Sequence, residues 1–254
     1  MSSSQIFVGS PLEVPTHPEL EGRRVFLSGI EDGAGELVAR SFARQRTRLV
    51  LHSSQPAATA ATLADTLKTQ AGAVRLFAGG IGADQAACER LARAALGAYG
   101  GLDLIVNLIG AGASDYRISG DSRGLEDAIA DALRPALIVS RAVADHARNS
   151  GQGAAIMHVC LARSGHGADF ARYALLKTAI ESMAQDQARR WFSHDICVYA
   201  FVPGLVGEPF EDAIEGDNVV PARANFEASL CAILLNAAGG RSRWLNGVTV
   251  AISS

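Results

Sequence analysis

Tyr173 and Lys177 lie four residues apart in the run Tyr-Ala-Leu-Leu-Lys, so on a helix they share one face, one turn apart. An ammonium that close favours the phenolate and lowers a phenol pKa from about 10, and such a phenol can exchange a proton with an alcohol or a ketone. A second signal lies near the start, where Ser28-Gly29-Ile30-Glu31-Asp32-Gly33-Ala34-Gly35 follows a short apolar run. Glycines at that spacing permit a tight strand-to-helix turn, and the first amides of the following helix can receive a pyrophosphate. Each motif alone is common. In this order, with strand and helix patterns at the right distances between them, they point to a nucleotide fold carrying a proton-transfer site.

The elements that must position these residues follow from the apolar pattern. Residues 1–22 hold three Pro and no sustained periodicity, so they are expected to form an irregular arm before a single domain over 23–254. Short apolar runs at 24–28, 48–52, 73–78, 102–110, 154–162, 196–202 and 247–252 predict seven strands. Helical patterns at 33–45, 57–70, 83–99, 124–149, 168–191 and 222–237 separate them, the fourth carrying Pro135 as a kink site. Near-continuous apolar strands alternating with helices predict a parallel sheet covered on both faces. With right-handed crossovers, this is a doubly wound Rossmann-type α/β fold in strand order 3-2-1-4-5-6-7.

Composition narrows the function classes. A chain of 254 residues that is 48% hydrophobic can bury one large core, and a formal charge of −3 argues against nucleic acid or an anionic membrane as the main partner. Cys88, Cys160, Cys197 and Cys231 are scattered, with no CxxC and no His at ligand spacing, so reduced thiols are expected and no metal site. No apolar run reaches the ~18 residues of a membrane span, and the first residues lack a signal peptide's pattern, so a cytoplasmic location is expected.

From the glycine turn to the last strand, the chain resembles the short-chain dehydrogenase/reductase family. The family's TGxxxGxG turn is matched by Ser28, Gly29, Gly33 and Gly35, with Ala34 between the last two; its NNAG by Asn107-Leu-Ile-Gly110; its YxxxK by Tyr173 and Lys177; and its Pro-Gly by Pro203-Gly204. The resemblance implies that Tyr173 is a general acid/base and that Lys177 anchors the nicotinamide ribose and depresses the Tyr pKa. It implies that the turn, with Asn107, Gly110, Pro203 and Gly204, forms the cofactor site for NAD(H) or NADP(H).

Several positions depart from that pattern. The family serine, thirteen residues before the Tyr, is Cys160 here, and a thiol is a weak donor. The relay asparagine of the kinked helix aligns with Ala132, the adenine-binding aspartate with Gly80, and a carboxamide-binding threonine with Glu208. Glu31 and Asp32 stand where two acids would repel a pyrophosphate. The second strand ends in His52-Ser53-Ser54, neither the acid of NAD(H) users nor the Arg of NADP(H) users, while Asp32 tilts the balance slightly to NAD(H).

Blander readings stand beside these. The glycines could serve the turn alone, Cys160 could be an inert buried thiol, and His52 could simply pack at its strand end. His158 and His166 flank Cys160 without a third partner at triad spacing, so a Cys/His nucleophile is not expected. The acids Glu208, Glu211, Asp212, Glu215 and Asp217 read as a solvated loop face, with rejection of anionic substrates as the sharper alternative.

Two functions stay open. One is an oxidoreductase that interconverts a secondary alcohol and a ketone through Tyr173, Lys177 and Cys160. The other is an inactive pseudoenzyme subunit that scaffolds an active paralogue, with dinucleotide binding weak or absent. Either reading expects an oligomer, most simply a tetramer, assembled through the two long helices.

Overall fold

The computed structural model describes residues 16–31, 33–82, 84–110, 122–161, 168–203, 219–240 and 245–252. The side chains of 122–125, 168–172, 203 and 219–226 are not described. Gly204, Asp32, His166 and the acidic run from Glu208 to Asp217 fall outside the described residues.

Seven strands form one parallel sheet: β1 (Arg24–Ser28), β2 (Arg48–Ser53), β3 (Ala73–Ala78), β4 (Leu104–Ile109), β5 (Ala154–Cys160), β6 (Ile196–Pro203) and β7 (Thr249–Ile252). Their spatial order is β3-β2-β1-β4-β5-β6-β7, and every neighbouring pair is parallel. Among the described residues, six α-helices connect them: α1 (Gly33–Arg44), α2 (Ala57–Leu67), α3 (Gln85–Tyr99), α4 (Ser122–Ser150), α5 (Ala168–Trp191) and α6 (Val219–Ala238). The expected Rossmann-type sheet is present, and α4 continues on both sides of Pro135 as one element.

Side chains alternate across a strand, so each strand feeds two cores. Val25, Leu27, Leu49, Leu51, Val106, Met157 and Phe201 pack with α1, α2 and α6 through residues such as Val38, Phe42, Leu67, Leu230 and Leu234. Phe26, Val50, Ile105, Ile156, Cys160 and Val198 face the other way. They meet Leu91 of α3, Val139 and Val143 of α4, and Tyr173, Ile180 and Ala184 of α5.

Local signals hold the connections. The Asp84 side chain accepts from the Ala86 amide at 3.0 Å and caps α3, which ends at Gly100 in the left-handed region (φ 71°). At the amino ends of the strands, Arg24 closes on Asp103 through two side-chain hydrogen bonds and also reaches Gln152 at 2.9 Å. That pairing holds the Asp103 carboxyl below its ordinary range although burial opposes it. The carboxyl ends of the strands carry the glycine turn, Gly110, Cys160 and Pro203, so this is the end available for chemistry.

Candidate active site at the carboxyl ends of the strands

The glycine turn is fixed by close backbone approach. Gly29 follows β1 with φ 78°, and a Cβ there would collide with the Leu108 carbonyl of β4. Gly35 lies in the first turn of α1, where a Cβ would come within 2.6 Å of the Gly29 carbonyl oxygen and 2.7 Å of Ile30 Cα. Only glycine lets the helix start press against the turn in this way. Gly33 is exposed and Ala34 half-buried, so the amino end of α1 stays accessible beside the turn. Gly110, one residue past β4, would have no described residue within 4 Å of a Cβ.

Glu31 does not lean over this turn. Its carboxylate accepts a hydrogen bond from the Ser54 amide, just past the end of β2. The Glu31 side chain is thus drawn towards the tip of β2.

Beneath the turn lies a buried polar row. Ser28 pairs in register with His52 on one side and Asn107 on the other, and Asn107 pairs with His158. All four alternate onto the face covered by α3, α4 and α5. The Ser28 hydroxyl donates to Asn107 Oδ1 at 3.4 Å. Asn107 Nδ2 donates to Ser140 Oγ of α4 at 3.1 Å and to His158 Nδ1 at 3.2 Å. The other ring nitrogen of His158 then carries the proton and donates to Gln187 Oε1 of α5 at 2.8 Å. Asn107 and His158 are 1% and 0% exposed. Asn107, expected at the cofactor, instead spends its side chain inside the protein, where it locks the tips of β1, β4 and β5 to two helices. Burial pushes the His158 pKa down to about 4, partly opposed by Gln187, so the ring is neutral.

Tyr173 sits at the upper edge of this face, 4% exposed and in the same core cluster as Cys160. Lys177 lies one turn further along α5, with its Nζ 3.6 Å from Glu181 Oε1. This overturns one expectation. Burial, with smaller contributions from neighbouring Cys160 and Glu181, pushes the Tyr173 phenol up to about 12, instead of Lys177 pulling it down. Four-residue spacing put the two groups on one face, but the ammonium is turned to the carboxylate on its other side. Glu181 was the residue missed; its signal was the i,i+4 spacing from Lys177.

The remaining predicted positions have plain surroundings. Cys160 is buried, and all four cysteines are free thiols. Ala132 packs against the α3–α4–α5 core and offers no polar group. A Cβ on Gly80 would meet nothing within 4 Å among the described residues. His52 is 7% exposed and lies 3.3 Å from the Gly79 carbonyl through Nε2, with its pKa lowered by burial. Pro203 ends β6, where its side chain is not described, and Gly204 lies outside the described residues.

Residues 23–218 match the short chain dehydrogenase family. The chain belongs to that family. It is 27% identical over 221 residues to an uncharacterized oxidoreductase of Mycobacterium tuberculosis, an alignment covering 85% of this chain and 79% of that protein. Among solved structures it resembles a short chain dehydrogenase from Mycobacterium smegmatis, with TM-score 0.77, 19% identity, and 97% and 98% of the two chains covered. It also resembles L-sorbose reductase from Gluconobacter frateurii, solved with NADPH and L-sorbose, with TM-score 0.74, 18% identity, and 94% and 97% covered. At these identities the structural likenesses establish the shared fold. No described helix of this family member is long and apolar enough to cross a membrane.

Proposed function

We propose that this short-chain dehydrogenase is an oxidoreductase that interconverts a secondary alcohol and a ketone with a nicotinamide dinucleotide. The observation that carries the reading is the buried Tyr173, which shares a core cluster with Cys160 at the end of β5 and stands one helical turn from Lys177. The sheet holding it also holds a glycine turn whose backbone contacts exclude any Cβ at Gly29 and Gly35.

The residues fit a dinucleotide. The turn leaves the first amides of α1 accessible for phosphate oxygens, and Glu31 is held aside on Ser54. Ser28, Gly29, Gly33, Ala34, Gly35 and Gly110 would form the wall of that site, and the family resemblance adds Pro203 and Gly204 to it. The bound cofactor supplies or accepts the hydride. Tyr173, a neutral phenol at physiological pH, is suited to donate a proton to the oxygen of a ketone. For the reverse direction Lys177 must leave Glu181 and approach the phenol, because only a nearby cation offsets the burial that disfavours the phenolate. Cys160, or a water beside it, stands where a donor would orient the substrate oxygen.

The second reading is a non-catalytic subunit beside an active paralogue, in which Lys177 would stay paired with Glu181. Coupled turnover separates the two. The purified chain with NADH or NADPH is expected to reduce at least one member of a panel of secondary ketones. If it binds dinucleotide and turns over none of the panel, the enzyme reading fails and the scaffold reading stands.

Assembly belongs to the same proposal. Ile129, Ala130, Leu133 and Leu137 make an apolar groove on α4, bordered by Glu126 and Arg134, and Leu175 of α5 is 47% exposed. Opposite charges beside one apolar strip suit antiparallel pairing with a second copy. Ala184 of α5 is buried in the chain's own core and takes no part in that strip. Light scattering at micromolar concentration should give a dimer or tetramer mass, and a monomer would remove this part of the reading.

A further inference from the structure

We propose that Glu31 selects the cofactor's adenosine ribose: carried from the glycine turn to the tip of β2, its carboxylate accepts the 2′,3′-diol and repels a 2′-phosphate. This deepens the dinucleotide reading above and rests on it. Glu31 is exposed, and one carboxylate oxygen accepts from the Ser54 amide at the start of the β2–α2 connection. A carboxylate has about four acceptor sites, so one amide leaves room for hydroxyl donors.

The tip of β2 carries no formal charge of its own. Its sequence over 52–56 is His-Ser-Ser-Gln-Pro. His52 is buried and turned to the Gly79 carbonyl, and burial lowers its pKa, which favours the neutral ring. Ser53 Oγ accepts from the Gln55 amide at 3.2 Å. In doubly wound sheets that bind dinucleotides, the acid that holds the ribose hydroxyls stands about 20 residues beyond the glycine turn, at the end of the second strand. Here the turn itself delivers a carboxylate to that place. Beyond the neighbouring tip of β3, a Cβ on Gly79 or Gly80 would meet nothing within 4 Å among the described residues, which leaves space for the adenosine. A 2′-phosphate there would set nearly two negative charges beside Glu31, with no Lys or Arg in residues 52–56 to offset them.

Calorimetric titration of the purified chain with NADH and with NADPH tests this without any need for the substrate. The wild type should bind NADH at least about tenfold more tightly than NADPH. Glu31→Gln, which keeps the shape and removes the charge, should narrow that ratio to within about threefold, chiefly by improving NADPH. Glu31→Ser serves as a second variant and should narrow it similarly. Equal or tighter NADPH binding by the wild type, or a ratio unchanged in both variants, overturns the assignment and leaves the oxidoreductase reading intact. Failure of both dinucleotides to bind at millimolar concentration overturns the two together.

Discussion

On the face of the sheet covered by α1, α2 and α6, the strand positions that turn inward are mainly aliphatic or aromatic, among them Val25, Leu27, Leu49, Leu51, Val106, Met157, Val159, Tyr199 and Phe201. On the face covered by α3, α4 and α5, the lower positions are equally apolar, but the last inward row before the strand tips is His52, Ser28, Asn107 and His158. Asn107 and His158 in that row are as deeply buried as the apolar positions of the first face. A buried polar group without a partner costs about 1–3 kcal/mol, so such a row survives only as a closed network, and Ser140 and Gln187 close it. The apolar face holds the sheet together by area and shape. The polar row adds direction, because each hydrogen bond fixes which strand tip stands beside which, directly below Gly29 and Cys160.

The largest effect should come from cutting the apolar face. Leu51→Ala removes a fully buried side chain and should cost about 2–5 kcal/mol in denaturant unfolding. Dinucleotide affinity per folded molecule should stay unchanged; a lost affinity would mean the two faces are not separable.

The polar row should show itself in acid. His158 is neutral when folded, with a pKa near 4 against an ordinary 6.5. As pH falls from 6.5 towards 4, the unfolded chain takes up a proton that the folded chain refuses, so stability present above that window is lost through it. The shift corresponds to at most about 3 kcal/mol. Unfolding free energies at pH 7 and pH 4.5 should therefore fall further for the wild type than for His158→Gln. Parallel losses in the two proteins would show that the buried ring does not set the acid sensitivity.

A smaller effect should follow from Gln187→Leu, which strands the His158 Nε2 proton and should cost about 1–3 kcal/mol. Adding His158→Leu should cost less in this background than in the wild type, because it removes the stranded proton even though Asn107 Nδ2 loses an acceptor. Simple additivity of the two changes would break the comparison, since it would mean that the pair does not act as a unit.

What could be foreseen from the sequence follows the same division. The apolar strands and their order were legible because a parallel sheet covered on both faces demands near-continuous hydrophobic runs. The Tyr173–Lys177 face and the glycine turn were legible because both depend on local spacing. The direction of the Tyr173 shift was not, because it depends on how deeply α5 buries the phenol and on Glu181 competing for the ammonium. His158 read only as a neighbour of Cys160; its role needs the cross-strand pairing with Asn107 and a helix residue 29 positions away. Glu31 was legible as a charge near the turn, while its direction is set by the Ser54 amide 23 residues on.

The central claim is that Tyr173 moves the proton. Once a ketone substrate is found, single-turnover reduction should be followed in protein loaded with reduced dinucleotide, comparing wild type with Tyr173→Phe. The substitution keeps the ring in its buried site and removes only the hydroxyl. The account predicts a rate reduced by at least about 10²-fold with dinucleotide affinity unchanged. An undiminished rate in Tyr173→Phe would contradict it and assign the chemistry to another group or to a partner chain.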